Sequence, residues 1–158
     1  MEPQPQQPQS SPPSADTRIR VETRFGAFDV AVHDLVNFPE GLPGFEQCRR
    51  FVVIGSEQLA PLQCLHAVDG AAASFLAIDP RVVLPGYRCQ LSPHDRHRLG
   101  VTDTTVLLWL SIVTVTEEGE AFANLRAPIV INPERMTGFQ VMPHNTLYPL
   151  RQPLTDGE

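Results

Sequence analysis

The chain contains no lysine. All twelve of its cationic residues are arginine, set against eighteen acidic residues, so the 158 residues carry a formal net charge of −6. An acidic surface repels phosphate, which argues against direct binding of RNA or DNA and suits a basic protein partner. Cysteine is sparse. Cys48, Cys64 and Cys89 are odd in number, widely spaced and form no C-x-x-C, so neither a zinc ribbon nor a redox motif is supported. They read as buried free thiols in a reducing cytoplasm. The start of the sequence lacks the basic and apolar regions of a secretory signal. The longest apolar stretch, Val106 to Val115, is broken by Ser111 and Thr114 and falls far short of the roughly 20 residues that span a bilayer. No heptad or long apolar stripe calls for a coiled-coil partner. The expectation is a cytoplasmic monomer with no membrane association.

Catalytic signatures are missing as well. No G-x-S-x-G, P-loop, dinucleotide fingerprint or H-E-x-x-H occurs. His94 and His97 stand three apart, a spacing that presents two metal ligands on one helix face. No second ligand cluster accompanies them, and Arg96 and Arg98 add positive charge nearby, so the pair reads as a solvated face. Cys64 and His66 share a strand face but lack a third orienting group, which makes them a poor nucleophile–base pair. His66 fits better as a hydrogen-bonded histidine within an apolar strand, and His33 and His144 are scattered. Trp109 and Phe28, Phe38, Phe51, Phe75 and Phe122 fall on strand patterns and read as core rather than a base-stacking platform. No enzyme activity, metal or cofactor is expected.

Residues 1–17 form a tail rich in Pro, Gln and Ser that has too little apolar surface to offset the entropy of ordering it. It holds one polyproline-type spacing, Pro5-x-x-Pro8. The folded domain is expected over 18–154, with a short tail at 155–158. Within it the pattern is β throughout. Phe28, Val30 and Val32 alternate with Asp29, Ala31 and His33, and Gly26 turns the chain between this strand and Ile19 to Thr23. Short apolar runs at Arg50 to Ile54, Leu62 to Val68 and Ser74 to Ile78 are bounded by Gly or Pro. The run Thr104 to Thr116, rich in β-branched residues, predicts a long central strand buried on both faces over its first half. A turn at Glu117-Glu118-Gly119-Glu120 follows. Strands are then predicted at Phe122 to Leu125, Ile129 to Ile131 and Phe139 to Met142. One short helix is predicted over 93–99, with Ser92 as its cap, Pro93 in its first turn, Asp95 near the positive end of its dipole and Gly100 at its end. Many short strands with one short helix predict an all-β fold, a small antiparallel β-barrel-like domain.

Three segments are distinctive. Asn37-Phe38-Pro39-Glu40-Gly41-Leu42-Pro43-Gly44-Phe45-Glu46 reads as a strand end with two close turns, Pro43-Gly44 suiting the centre of a type II turn. Ala123-Asn124-Leu125-Arg126-Ala127-Pro128-Ile129-Val130-Ile131-Asn132 reads as strand, Pro-marked edge and strand, with Asn124 and Asn132 capping turns. The third is Ser74-Phe75-Leu76-Ala77-Ile78-Asp79-Pro80 followed by Pro85-Gly86-Tyr87. Together they resemble the flagellar assembly factor FliW family, whose members show a Gly-Ile/Leu-Pro-Gly-Phe-Glu element and, later, an Asn-Leu-x-Ala-Pro-Ile-x-Ile-Asn element. Gln140 and Tyr148-Pro149-Leu150 also resemble that family, and the likeness runs from about Arg24 to Leu154. The Pro- and Gln-rich tail departs from the family's short N-terminus.

The resemblance implies a protein that binds flagellin and also the RNA-binding regulator CsrA, stopping CsrA from repressing flagellin translation. The two partners alternate, so the mechanism is partner switching. An acidic domain suits a basic RNA-binding dimer, which makes Glu40, Glu46, Glu117, Glu118 and Glu120 candidate contacts. Phe45, Asn124 and Asn132, from the two family elements, complete the candidate partner-binding set. The alternatives are a secretion chaperone that only shields flagellin, or a small-molecule-binding barrel, which would need a deep polar pocket.

Overall fold

The computed structural model describes residues 17–143 and 146–154. The Pro5-x-x-Pro8 spacing, His144 and the tail at 155–158 lie outside the described residues. The chain runs through β1 (Arg18–Thr23), β2 (Gly26–Ala31), a single 3-10 turn (Val32–Asp34), β3 (Val36–Asn37), β4 (Arg50–Gly55), β5 (Gln63–Ala67) and β6 (Ser74–Ile78). It continues through α1 (Pro80–Val83), α2 (Pro93–Leu99), β7 (Leu108–Val115), β8 (Ala121–Ala123), β9 (Ile129–Asn132), β10 (Thr137–Gln140) and β11 (Gln152–Pro153).

The expected small all-β barrel is present. Strands β3 to β7 pair antiparallel in sequence order, and β9 and β10 form an antiparallel hairpin. Two pairings close the ring: β9 joins the start of β7 through Leu108↔Ile131, and β10 joins β3 through Thr137↔Asn37. The result is a closed seven-strand barrel. The β3–β10 contact is parallel, the exception to an otherwise antiparallel design. Strand β7 serves three neighbours, because its first half pairs with β9 and its second half with β8, while β6 takes the other edge. Strand β11, which the sequence pattern does not predict, extends β8. The β1–β2 hairpin is a separate two-stranded sheet laid against the barrel wall.

Alternation along the strands explains how apolar runs feed both sides of the wall. In β4, Phe51 and Val53 belong to the lumen cluster, while Val52 and Ile54 pack outward under Val21 and Val30 of the hairpin. In β9, Ile129 and Ile131 point inward and Val130 outward against Leu99 of α2. Phe38, Phe51, Leu65, Leu110, Ile129 and Ile131 fill the lumen, each at most 2% exposed. Each such side chain contributes about 1.5–3 kcal/mol of burial energy. The Phe38 and Phe51 rings meet in a tilted pair at 4.8 Å.

The helix over Pro93–Leu99 forms where the sequence predicts it. Ser92 Oγ accepts from the Asp95 amide at 3.0 Å, and Gly100 ends the helix in the left-handed region at φ +69°. About two turns do not persist alone; Leu99, fully buried against Val130, Phe139 and Val141, holds them to the sheet.

The structure corrects three finer expectations. A second helical turn, α1, exists, capped by the Asp79 side chain accepting from the Arg81 amide at 2.9 Å. The strand predicted over Thr104 to Thr116 starts only at Leu108. Before it, the Thr102 amide donates to Thr105 Oγ1 at 2.9 Å and the threonines hold a turn, leaving Val106 77% exposed. Burial on both faces therefore falls on Leu110 and Ser111, not on the first half of the predicted run. Finally, β2 stops at Ala31, and Val32 and His33 enter the 3-10 turn instead of continuing the alternation.

A candidate partner-docking surface

The segment 37–46 leaves β3 and forms a ledge of two close turns. Phe38 is wholly buried and the Gly41 amide donates to its carbonyl at 2.9 Å. Leu42 to Phe45 close the second turn, the Phe45 amide donating to the Leu42 carbonyl at 2.7 Å, with Gly44 at φ +83° as a type II turn requires. Glu46 is exposed, and its Oε2 accepts from the Gly44 amide at 3.1 Å, so it stiffens the turn that presents it.

Glu40 is not a free charge. Its Oε1 lies 3.0 Å from Arg98 Nη1, and the same guanidinium reaches Asp95 Oδ1 at 2.8 Å and stacks over the Phe139 ring at 4.3 Å. This corrects the reading of Arg98 as part of a solvated face: its side chain is only 19% exposed. It ties the ledge to α2 and β10. No sequence signal points to this, because Glu40 and Arg98 are 58 positions apart.

Phe45 is half-buried and meets Phe75 edge-to-face at 5.0 Å. Both rings line an open groove of about 850 Å³, together with Arg24, Phe25, Ile112 and Val113. Its far lining includes Thr114 and Val115, just before the exposed turn carrying Glu117, Glu118 and Glu120. That turn is set by Gly119 at φ +88° and by the Thr116 hydroxyl accepting from the Glu120 amide at 3.1 Å.

The second family element is structural in its detail. Asn124 Oδ1 accepts from the Arg126 and Ala127 amides, both at 3.0 Å, as its predicted capping role requires. Arg126 Nε donates to the Tyr148 carbonyl and the Leu125 amide to the Pro149 carbonyl, so the closing segment is laced to this element. Gln140 Nε2 donates to the Ala127 carbonyl at 2.9 Å. Tyr87 completes the junction, its hydroxyl donating to the Leu125 carbonyl at 2.9 Å and its ring meeting Tyr148 at 4.5 Å. Asn132 is fully buried. Its Nδ2 donates to the Leu99 carbonyl at 2.7 Å and its Oδ1 accepts from the Glu134 amide at 3.0 Å. At 0% exposure Asn132 presents no surface in this conformation, and the bonds it makes are to its own fold.

Burial pushes the Cys64 thiol up, and burial pushes Cys89 up to about 11, so both stay protonated. His66 Nδ1 lies 2.8 Å from Ser74 Oγ. His94 and His97 are exposed, and among the described residues no group of three or more His, Cys, Asp or Glu side chains could hold a metal ion. No helix among them is long and apolar enough to cross a membrane.

Burial holds the His66 imidazole below its ordinary value. The unfolded chain therefore takes up more protons once pH falls below about 6.5. Stability contributed by the neutral ring is complete above that value and is lost as pH falls toward the depressed one. Urea midpoints measured from about pH 7.5 down to about pH 5 are expected to fall more steeply for the natural chain than for His66→Gln. Parallel curves would show that the ring does not control this range.

Comparison with known proteins matches the same residues. The family model described as FliW protein covers residues 20–154. A flagellar assembly factor FliW of Caldanaerobacter subterraneus subsp. tengcongensis is 36% identical over 134 residues, covering 84% of this chain and 89% of the relative. One from Geotalea uraniireducens is 34% identical over 132 residues, covering 83% and 80%. A crystal structure of the flagellar assembly factor FliW superposes with a TM-score of 0.77 at 30% identity, covering 88% of this chain and 97% of that one.

Proposed function

The chain belongs to the FliW family of flagellar assembly factors, and from that premise we propose that it binds the RNA-binding repressor CsrA in the cytoplasm, relieves repression of flagellin translation, and takes flagellin as its alternative occupant. The observation that carries this reading is the match over 20–154, which contains both the Gly41-Leu42-Pro43-Gly44-Phe45-Glu46 and the Asn124-to-Asn132 elements in order. When flagellin accumulates it holds the factor and CsrA represses; export of flagellin releases the factor, which then captures CsrA. The factor works by occupancy, without turnover of a substrate. A net charge of −6 favours encounter with a basic dimer. The apolar filling of the lumen disfavours the small-molecule barrel.

The test is an RNA shift assay. The purified protein is expected to release flagellin leader RNA from CsrA, and added flagellin is expected to restore the CsrA–RNA complex. Failure to release RNA while flagellin still binds would leave the secretion-chaperone reading in its place.

Among the acidic candidates, Glu117, Glu118 and Glu120 sit together on an exposed turn, whereas Glu40 is engaged by Arg98. Reversing all three to Arg is expected to weaken CsrA binding about 5- to 50-fold at low salt, with the difference shrinking as salt screens it. Unchanged affinity by titration calorimetry would remove this turn from the interface.

A further inference from the structure

The third distinctive stretch of the sequence, Ser74 to Pro80 with Pro85-Gly86-Tyr87, leads into a second opening that shares no lining residue with the groove beside Phe45. Its volume is about 580 Å³. Tyr87, Cys89 and Trp109 form its aromatic and apolar side, and Arg81, Arg88 and Gln90 line it as exposed residues. The alternation of β7 explains why Trp109 is there. Leu108 and Leu110 pack into the lumen, so Trp109 turns to the outer face of the wall, half-buried against the cluster around Leu99 and Val130.

The two guanidiniums are set in different ways. Arg81 is held by the cap of α1, its Nε and Nη2 meeting Asp79 Oδ1 and Oδ2 at 3.2 and 3.1 Å. That two-point contact fixes the plane of the group and uses neither hydrogen of Nη1. Arg88 is fixed at its backbone, where the amide donates to the Tyr148 hydroxyl at 2.9 Å. Among the described residues its guanidinium has no hydrogen bond or ion pair. Tyr87 cannot turn away, because its hydroxyl is bound to the Leu125 carbonyl and its ring lies against Tyr148. Asp79 offsets one of the two positive charges, and the protonated Cys89 thiol adds no negative one. The opening is therefore cationic in a chain whose net charge is −6. Its surroundings share that sign: residues 80–101 hold four arginines and one acid, Asp95, which is itself paired with Arg98.

An arginine binds a carboxylate through two parallel N–H donors, and Trp and Tyr rings cover an apolar side chain beside it. A bare inorganic anion would leave both rings uncovered. A nucleic acid brings a chain of phosphates that the acidic remainder of the molecule repels. We propose that the Tyr87–Trp109 pocket, with Arg88 as its free cation and Arg81 as its anchored one, binds an acidic peptide segment of a partner protein, one in which Asp or Glu stands next to Phe, Leu or Ile. None of its residues belongs to the acidic turn at 117–120 or to the Phe45 groove, so its occupancy is independent of the CsrA and flagellin reading.

Trp109 is the only tryptophan of the chain, so its fluorescence reads this pocket directly. An array of short peptides of graded acidity, probed with the full chain, is expected to favour those that join Asp or Glu to Phe, Leu or Ile. The best of them is expected to shift or quench Trp109 emission to saturation, and its counterpart with Asn and Gln for the acids is expected to lose that effect. Arg88→Glu is expected to weaken the titration about 5- to 50-fold at low salt, and by less as salt rises. An array without acidic preference would overturn the proposal. So would a best peptide that binds Arg88→Glu as tightly as the natural chain, or that binds without moving Trp109 emission, since its acids then dock elsewhere. Inorganic phosphate or a single-stranded oligonucleotide moving Trp109 emission where no peptide does would overturn it in favour of a free anion or a nucleic acid.

Discussion

Gly41→Ala is expected to lower the unfolding free energy by about 2–5 kcal/mol, the sum of left-handed backbone strain of about 1–2 kcal/mol and overpacking of about 1–3 kcal/mol. Gly41 holds φ +63°, and an added Cβ would sit 2.6 Å from the Phe45 carbonyl oxygen and 2.7 Å from the Glu46 Cα. Those neighbours are backbone, so they do not swing aside. The control is three residues away. Gly44 has φ +83°, and a Cβ added there would meet nothing within 4 Å, so Gly44→Ala should carry the strain of about 1–2 kcal/mol and little else. Urea unfolding of the two variants separates close approach from backbone conformation. Equal losses would mean that the ledge does not fold back on itself as described. Gly41→Ala should also displace Phe45 and with it one wall of the groove, which a shift of the Phe45 and Phe75 ring resonances larger than in Gly44→Ala would show.

Asn132→Ala is expected to cost about 2–3 kcal/mol. Its side chain is the link between β9, the end of α2 and the β9–β10 turn: one donor to the Leu99 carbonyl, one acceptor for the Glu134 amide, and no solvent access. Truncation leaves the Leu99 carbonyl buried without its partner, which costs more than the bond itself contributes. Asn124→Ala is the comparison, because Asn124 also accepts two turn amides but is half-buried, where water replaces what is lost. A loss of about 1 kcal/mol is expected there. Chemical denaturation in which Asn124→Ala proves as damaging as Asn132→Ala would refute the role assigned to burial.

These two asparagines show how far local reading goes. Both are legible as turn caps, since an Asn at a strand end bonds its own backbone two residues on. That one reaches into the core to hold a helix end is not legible, because the helix end lies 33 positions earlier. The same division separates Pro43-Gly44, whose turn type follows from the dipeptide, from Glu40, whose partner Arg98 no spacing reveals. The segment from Thr104 to Leu107 departs from its predicted strand for a different, local reason. β-branched residues favour extended backbone, but the Thr102 and Thr105 hydroxyls offer the backbone a competing local bond, and a turn forms.

Period-two alternation, Gly and Pro punctuation and the Ser92–Pro93 cap were enough to specify strands, turns and one helix, because each depends on residues within a turn or two of one another. The spacing of two family elements was enough to place the chain among flagellar assembly factors. Closure of the barrel through the β3–β10 and β7–β9 pairings, the Glu40–Arg98–Asp95 bridge and the aromatic groove where β6 and β7 part were decided only by the tertiary structure. Each joins residues that the chain keeps far apart, and such contacts are selected by how the packed faces meet in three dimensions rather than by any pattern along the sequence.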